Sequence, residues 1–225
     1  MMRRPTLWTL ISLAACAALV SFQLQGLAIA AAIAKLTAST AFIVVAVSAG
    51  APESGWGRAL LAGLGLSWFG DAFLLGTTDT WFLLGLSAFL LAHLAYLTAF
   101  LLRGVDLGWV AGAALAVLLF SSGVAIWLMP HVGGGMRIPV LAYLVVINLM
   151  VIGAMGARGA GATWLLPAGA MAFYFSDLGV AARQFLQPEF PPYVWSLPLY
   201  YAGQLMLAWG PAGRGPISPP RSPPR

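Results

Sequence analysis

The feature that most limits the fold is a series of eight apolar segments, each about as long as a membrane-spanning helix. A helix needs about 20 apolar residues to cross the hydrocarbon core of a bilayer. Short clusters of glycine, proline and charged residues separate the segments, as expected of loops. The sequence therefore predicts an all-α integral membrane protein with eight transmembrane helices. The segments cover residues 7–24, 27–49, 58–76, 81–102, 107–129, 137–157, 163–186 and 193–210.

The composition excludes most other classes of protein. Hydrophobic residues make up 61% of the 225 residues and charged residues only 8%, whereas soluble domains carry roughly 25% charged residues. The formal net charge is +5, but the basic residues form no stripe with interleaved aromatic side chains, so nucleic acid is not an expected partner. A single cysteine, Cys16, excludes an intrachain disulfide and a cysteine-based metal cluster.

The two ends of the chain carry separate predictions. The start resembles a bacterial lipoprotein signal that ends at Cys16, but the apolar run continues beyond this cysteine, which favours a first transmembrane helix. Residues 211–225 are rich in proline and too poor in apolar residues to build a core, so they predict a disordered cytoplasmic tail. The transmembrane domain is accordingly predicted over residues 1–210.

The basic residues predict the orientation of the helices. Cytoplasmic loops of membrane proteins are enriched in lysine and arginine. If the N-terminus is cytoplasmic, only Arg137 and Arg183 fall on the outside. The prediction is a multi-pass protein of the inner (plasma) membrane with both termini in the cytoplasm. The arginines then placed on the cytoplasmic side are Arg3, Arg4, Arg58, Arg103, Arg158, Arg214, Arg221 and Arg225.

Two similar blocks occur about a hundred residues apart in the sequence. LAGLGLSWFGD (61–71) and PAGAMAFYFSD (167–177) share Ala-Gly, an aromatic pair, a small residue and an aspartate at identical spacing. They lie on the third and seventh predicted helices, which favours a parallel repeat of two four-helix halves. Chance similarity within an apolar sequence is the alternative.

Asp71 and Asp177, which end these blocks, are the acidic residues that fall inside predicted helices. Each lies about 20 Å from the cytoplasmic end of its helix at the normal helical rise, so similar depths are expected. Ionisable residues inside a membrane are costly and are candidates for function. Two carboxylates that face each other in apolar surroundings cannot both ionise cheaply, which predicts one acid beside one carboxylate base. Such a pair supports general acid–base catalysis without a metal or another cofactor.

Further polar side chains are predicted near the same depth and are candidates for substrate binding. Lys35 could keep one carboxylate ionised, or could pair with it only to join two helices. A proton-coupled transporter or lipid-binding protein is an alternative to an enzyme. A metal hydrolase needs more ligands than the one histidine in this group provides. The candidates are Lys35, His93, Tyr96, Tyr143, Tyr200 and Gln204.

Four blocks of the sequence, and the order in which they occur, resemble the YhhN family of bacterial lysoplasmalogenase-type membrane proteins. The resemblance covers nearly the whole chain and includes the lysine of AKLTAS, although Leu36 follows Lys35 where the family usually has proline. The blocks are GDAFLL (70–75), FLLGLSAFLLAHLAY (82–96), GAMAFYFSD (169–177) and YYAGQ (200–204).

This resemblance implies an activity and a set of site residues. The implied reaction is hydrolysis of the vinyl ether bond of a lysoplasmalogen to a fatty aldehyde and a glycerophospho-ethanolamine or glycerophospho-choline. The partners are then a lysophospholipid substrate and the lipid of the membrane. Asp71 and Asp177 would form the acid–base pair, and His93, Tyr96 and Tyr200 would line the pocket. Which aspartate is the acid stays open at this point.

Overall fold

The computed structural model describes residues 4–213, and this part of the chain is built from eight α-helices. Each predicted apolar segment corresponds to one helix, and the helix ends lie within a few residues of the predicted ones. The helices are α1 (Arg4–Leu24), α2 (Ala28–Ser48), α3 (Gly55–Phe73), α4 (Asp79–Arg103), α5 (Leu107–Leu128), α6 (Gly134–Gly159), α7 (Leu165–Phe185) and α8 (Tyr193–Trp209).

Six of these helices, α1, α2, α4, α5, α6 and α7, are long and apolar enough to cross a membrane. The protein is therefore a multi-pass membrane protein. The helix α8 has only 17 residues, and α3 carries Arg58 and Asp71 within 19 residues, which lowers its hydropathy. That α3 and α8 also span the bilayer stays a prediction.

Helices that follow one another in the chain pack as antiparallel pairs. The pairs are α1 with α2, α3 with α4, α5 with α6, and α7 with α8. The helix α8 also packs against α1, α2 and α3, while α4 packs against α6. Helix α8 therefore lies in the interior, whereas α5 exposes large apolar side chains such as Leu115 and Ile126, as a lipid-facing helix does. Asp71 and Asp177 each lie on the first helix of a pair, but a repeat of two four-helix halves stays a prediction.

The helices α7 and α8 approach each other through two glycines. A Cβ atom built on Gly169 would lie 2.8 Å from the carbonyl oxygen of Gly203, and one built on Gly203 would lie 2.8 Å from that of Gly169. Small residues permit such close contact between helices in membrane proteins. This contact fixes α7, which carries Asp177, against α8, which carries Tyr200.

The two ends of the described chain bear on the remaining predictions. The helix α1 continues through Cys16, as predicted for a first transmembrane helix. After α8 the chain forms a short 3₁₀ helix, Gly210–Gly213, at the start of the predicted tail. The rest of the predicted tail, residues 214–225, lies outside the described residues.

Candidate active site

Asp71 lies in a polar cluster formed by α2, α3 and α8, which we call the Lys35–Asp71 cluster. It consists of Lys35, Ser39, Asp71, Tyr200 and Tyr201. The Oδ1 atom of Asp71 is 3.3 Å from Lys35 Nζ. Its Oδ2 atom accepts hydrogen bonds from Ser39 Oγ at 2.6 Å and from Tyr200 Oη at 2.7 Å. Because a cation and two hydroxyl groups contact this buried carboxylate, the arrangement favours an ionised Asp71.

The spacing of residues on α2 explains half of this cluster. Lys35 and Ser39 are four residues apart and therefore lie on one face of the helix. The backbone carbonyl of Lys35 accepts a hydrogen bond from Tyr201 Oη at 3.1 Å, which ties α2 to α8. The sequence expectation that Lys35 pairs with one carboxylate is confirmed, and the pair joins α2 to α3.

Tyr96 and Gln204 form a second layer next to this cluster. Tyr96 Oη donates a hydrogen bond to Gln204 Oε1 at 2.7 Å and lies 3.2 Å from Ser67 Oγ. Ser67 is one helical turn before Asp71 on α3, and Gln204 is one turn after Tyr200 on α8. All three side chains are fully buried. They join α3, α4 and α8 directly behind the carboxylate.

Asp177 lies in a different polar cluster, the His93–Asp177 cluster, which consists of His93, Tyr143 and Asp177 on α4, α6 and α7. Tyr143 Oη donates a hydrogen bond to Asp177 Oδ2 at 2.6 Å. His93 Nε2 is 2.8 Å from Tyr143 Oη and 3.4 Å from Asp177 Oδ2. Because the tyrosine proton points to the carboxylate, this network assigns a proton to His93 Nε2, which donates to the tyrosine oxygen.

An aromatic wall lies between the two clusters. The ring centroid of Phe173 is 4.6 Å from that of His93 and 5.2 Å from that of Tyr200. Phe89 adds to this wall, with centroids 5.8 Å from those of both Phe173 and Tyr200. The two clusters share no residue, and neither aspartate is a described partner of the other. The expectation of two carboxylates that face each other and share a proton is thus replaced by two separately held carboxylates.

Asp177 lines a narrow cavity of about 70 Å³ between α4, α5, α6 and α7. The Asp177 side chain is 16% exposed, compared with 3% for that of Asp71. Both described contacts of Asp177 use Oδ2, which leaves Oδ1 available to a ligand. The cavity is wide enough for only a few methylene groups of an aliphatic chain, and its wall is apolar, since it includes Leu86, Val124, Val140, Leu144, Ile147 and Phe185.

A larger and more polar cavity of about 510 Å³ opens at the end of the bundle where the α1–α2, α3–α4 and α7–α8 loops meet. Lys35 lines this cavity, so the cavity reaches the Lys35–Asp71 cluster. Leu74, Phe82 and Val180 line both cavities, which therefore adjoin. A polar cavity next to an apolar one suits a ligand with a polar head and an aliphatic chain.

The structure places every predicted site residue in or beside one of the two clusters. It adds Ser39 and Tyr201 to the predicted site residues, and the four-residue spacing of Ser39 from Lys35 was the available signal for Ser39. Asn148, a further buried polar residue of α6, lies outside both clusters, and its Nδ2 donates to Ser121 Oγ at 2.7 Å. Within residues 4–213, no three His, Cys, Asp or Glu side chains are grouped so as to hold a metal ion.

Comparison with known proteins identifies the family. Residues 29–211 match the YhhN family. A protein of Mycobacterium bovis named lysoplasmalogenase is 34% identical over 182 residues, which are 77% of this chain and 67% of that protein. Lysoplasmalogenase TMEM86A of Bos taurus is 33% identical over 157 residues, 66% of this chain and 63% of that protein. Lysoplasmalogenase TMEM86B of Mus musculus is 37% identical over 134 residues, 56% of this chain and 52% of that protein.

The matched regions thus span between about half and two thirds of the length of these relatives. No solved structure matches this chain.

Proposed function

The chain belongs to the YhhN family, and we propose that it is a membrane lysoplasmalogenase that hydrolyses the vinyl ether bond of a lysoplasmalogen. The products are a fatty aldehyde and a glycerophospho-ethanolamine or glycerophospho-choline. The observation that carries the proposal is a carboxyl group, Asp177, on the wall of an apolar cavity that adjoins a polar one. The names of the bacterial and mammalian relatives support the same substrate class.

The reaction makes two demands on the site. A vinyl ether is hydrolysed when a proton adds to the alkene carbon that does not carry the ether oxygen. The resulting oxocarbenium ion is attacked by water, and the hemiacetal then separates into aldehyde and alcohol. The site must therefore hold a proton donor against the alkene and a group that stabilises the cation and accepts a proton from water.

We assign the donor to Asp177. An apolar wall favours a neutral carboxylic acid over a carboxylate. A proton on Oδ1 is free to pass to the alkene carbon because the described contacts of Asp177 use Oδ2. Once the proton has left, Tyr143 donates to Oδ2 and stabilises the carboxylate that forms, while His93 donates to the Tyr143 oxygen and strengthens that hydrogen bond.

We assign the base to Asp71. Lys35 keeps this carboxylate ionised, so its negative charge stabilises the oxocarbenium ion and attracts a proton of the attacking water. The proton gained by Asp71 is later released to solvent, and Asp177 takes one up. When the hemiacetal separates, the proton of its hydroxyl group leaves and the glycerol oxygen gains one.

The experiment is aldehyde release from lysoplasmalogen by purified protein in lipid nanodiscs. We expect Asp71→Asn and Asp177→Asn to abolish release while both variants remain folded. Asp106→Asn is the matched control because Asp106 caps α5 away from both clusters, and asparagine is an equally good cap. Full activity in either buried variant contradicts the acid–base assignment. A wild-type protein that binds lysoplasmalogen and leaves it intact contradicts the enzyme proposal.

A proton-coupled transporter or lipid-binding protein is the second candidate. The polar cavity of about 510 Å³ that reaches Lys35 favours it, because a buried ion pair at the base of a cavity also suits a proton relay. Proton flux that depends on added lysophospholipid in liposomes, without release of aldehyde, would identify this candidate.

The proposed location is the inner membrane with both termini in the cytoplasm. The excess of arginine on the predicted cytoplasmic side supports this orientation. The polar cavity then opens on the non-cytoplasmic side, and the lysophospholipid enters from that leaflet. Labelling of a cysteine introduced at Thr77 by a membrane-impermeant reagent in intact cells tests the orientation.

A further inference from the structure

The polar cavity has the size of a small-ligand site, and most of its lining residues take no part in the acid–base steps. Its volume of about 510 Å³ falls in the range of about 300–1,000 Å³ that is typical of such sites. Its walls come from three helix pairs, α1–α2, α3–α4 and α7–α8. The polar side chains that line it include Gln23, Lys35, Asp79, Arg183, Gln184 and Ser196.

Two charges in this cavity, on Arg183 and Asp79, have no ion-pair partner within residues 4–213. The third charge, on Lys35, is paired with Asp71. The guanidinium carbon of Arg183 lies 5.6 Å from the centroid of the Tyr193 ring, which also lines the cavity. This contact holds the arginine at the wall through the face of the guanidinium group and leaves its N–H donors available. The cavity therefore presents one positive and one negative group to a ligand.

The position of Arg183 is unusual for a basic residue in this chain. Arg183 and Arg137 are the basic residues placed on the predicted non-cytoplasmic side, where lysine and arginine are depleted. Arg183 lines the cavity, whereas Arg137 does not, and Arg137 Nε donates to the carbonyl of Val132 at 3.1 Å. An anionic ligand group gives a physical reason for an arginine at the cavity.

The spacing along α7 relates this arginine to the proposed catalytic carboxyl. Arg183 follows Asp177 by six residues, which corresponds to about 9 Å along a helix. In a lysoplasmalogen, seven bonds separate the phosphorus from the alkene carbon that is protonated, and this is roughly 8 Å in an extended chain. Val180, which lines both cavities, lies between these two residues on α7. A phosphate at Arg183 thus places the alkene at the depth of Asp177.

We propose that the polar cavity binds the zwitterionic headgroup of the substrate, with Arg183 contacting the phosphate and Asp79 contacting the ammonium group. The inference rests on the proposed function, because the ligand is the lysophospholipid of that reaction. The headgroup carries one negative and one positive charge, which matches the two unpaired charges of the cavity. The aliphatic chain then continues past Leu74, Phe82 and Val180 into the apolar cavity.

The test is direct binding of three unreactive lipids to the full chain in nanodiscs. All three are glycerols with the same saturated 1-O-alkyl chain. The first carries phosphoethanolamine, the second carries phosphate alone, and the third carries no headgroup. We expect Arg183→Gln to weaken the binding of the two phosphate-bearing lipids about tenfold, as for loss of a charge-assisted contact. Binding of the alkylglycerol should change less than twofold. We expect Asp79→Asn to weaken the binding of the ethanolamine lipid alone, by about threefold to tenfold.

The matched controls are Arg137→Gln and Glu189→Gln, which remove charges on the same side of the protein outside the cavity lining. The headgroup assignment is overturned if the binding of all three lipids weakens equally, if the binding of none weakens, or if the control variants show the same pattern. Thermal unfolding checks that Arg183→Gln and Asp79→Asn stay folded, as expected for two exposed side chains.

The outcome is separable from that of the proposed function. Binding uses lipids without a vinyl ether, so it does not depend on turnover. If wild type releases aldehyde but Arg183→Gln binds all three lipids normally, the hydrolase stands and the headgroup site is wrong. If the binding pattern holds but wild type releases no aldehyde, the headgroup site stands and the hydrolase is wrong.

Discussion

Asp71 and Asp177 end similar sequence blocks, yet the structure gives them different surroundings. Asp71 is contacted by a lysine and two hydroxyl groups, and it lies next to the polar cavity behind Lys35, which lines that cavity. Asp177 is contacted at one oxygen by a tyrosine and a histidine and lines an apolar cavity. The block places each carboxyl on its helix, but the neighbouring helices decide its chemical state. The difference gives the two carboxyls different roles.

The largest expected effect is on turnover when the cavity-facing carboxyl is replaced. Asp177→Asn removes the proposed proton donor, and loss of a general acid costs about 10²- to 10⁴-fold in rate. Its shape is preserved, so we expect lysoplasmalogen to bind normally. Single-turnover kinetics with saturating lipid measures the chemical step. A normal rate of the chemical step together with weakened lipid binding would show that Asp177 binds the substrate and is not the proton donor.

The next effect is on stability, and it separates the two clusters. Lys35→Met leaves the Asp71 carboxylate buried without its cation, which costs about 3–5 kcal/mol. The double variant Lys35→Met/Asp71→Asn removes both charges and should recover most of this loss. His93→Gln in the other cluster should cost less, since it breaks no strong ion pair. Unfolding in denaturing detergent compares the three variants, and a double variant no more stable than Lys35→Met would contradict an ionised Asp71.

A smaller effect is expected from two tyrosines that donate to the carboxyls. Tyr143→Phe removes the hydrogen bond to Asp177 Oδ2 and should lower kcat about tenfold, as for loss of a charge-assisted contact. Tyr200→Phe leaves Asp71 with Lys35 and Ser39, so we expect a decrease of about threefold or less. The comparison of kcat in these two variants checks the division of roles. A larger decrease for Tyr200→Phe would place the rate-limiting proton transfer at Asp71.

The smallest effect concerns the contact that holds the two clusters in register. Gly203→Ala forces α8 away from the Gly169 carbonyl, which we expect to cost about 1–3 kcal/mol through overpacking. Gly112→Ala in α5 is the control, because a Cβ atom there has no neighbour within 4 Å. Thermal unfolding of both variants measures the difference. Equal stability of the two variants would mean that the α7–α8 contact is not tightly packed.

The helices could be predicted from the sequence because length and apolar composition determine them locally. The pairing of Lys35 with a carboxylate could also be predicted, since a lysine inside a membrane needs a partner of opposite charge, but the choice of Asp71 over Asp177 could not. The separation of the two carboxyls could not be predicted. It depends on α2 and α8 packing on one side of Phe173 and on α4 and α6 packing on the other, and no local pattern records such contacts. The similar blocks suggested a symmetric pair, but helices outside the blocks supply different partners.

Two further residues show where the sequence signal ends. Ser39 contacts Asp71 at 2.6 Å. Its four-residue spacing from Lys35 places both side chains on one face of α2, but this spacing does not show that they share Asp71 as a partner. In the sequence, Arg183 stands out only as one of two arginines on the predicted non-cytoplasmic side. Its relation to the cavity follows from the way in which the α1–α2, α3–α4 and α7–α8 pairs meet at one end of the bundle.

The central claim is that Asp177 is protonated while Asp71 is ionised, and its most direct test is the infrared absorption of the carboxyl groups at neutral pH. A protonated carboxylic acid gives a C=O stretching band that a carboxylate lacks, and carboxyl groups in contact with water are generally ionised under these conditions. The account predicts that wild type shows this band, that Asp71→Asn retains it, and that Asp177→Asn loses it. A band that disappears in Asp71→Asn and persists in Asp177→Asn would contradict the account.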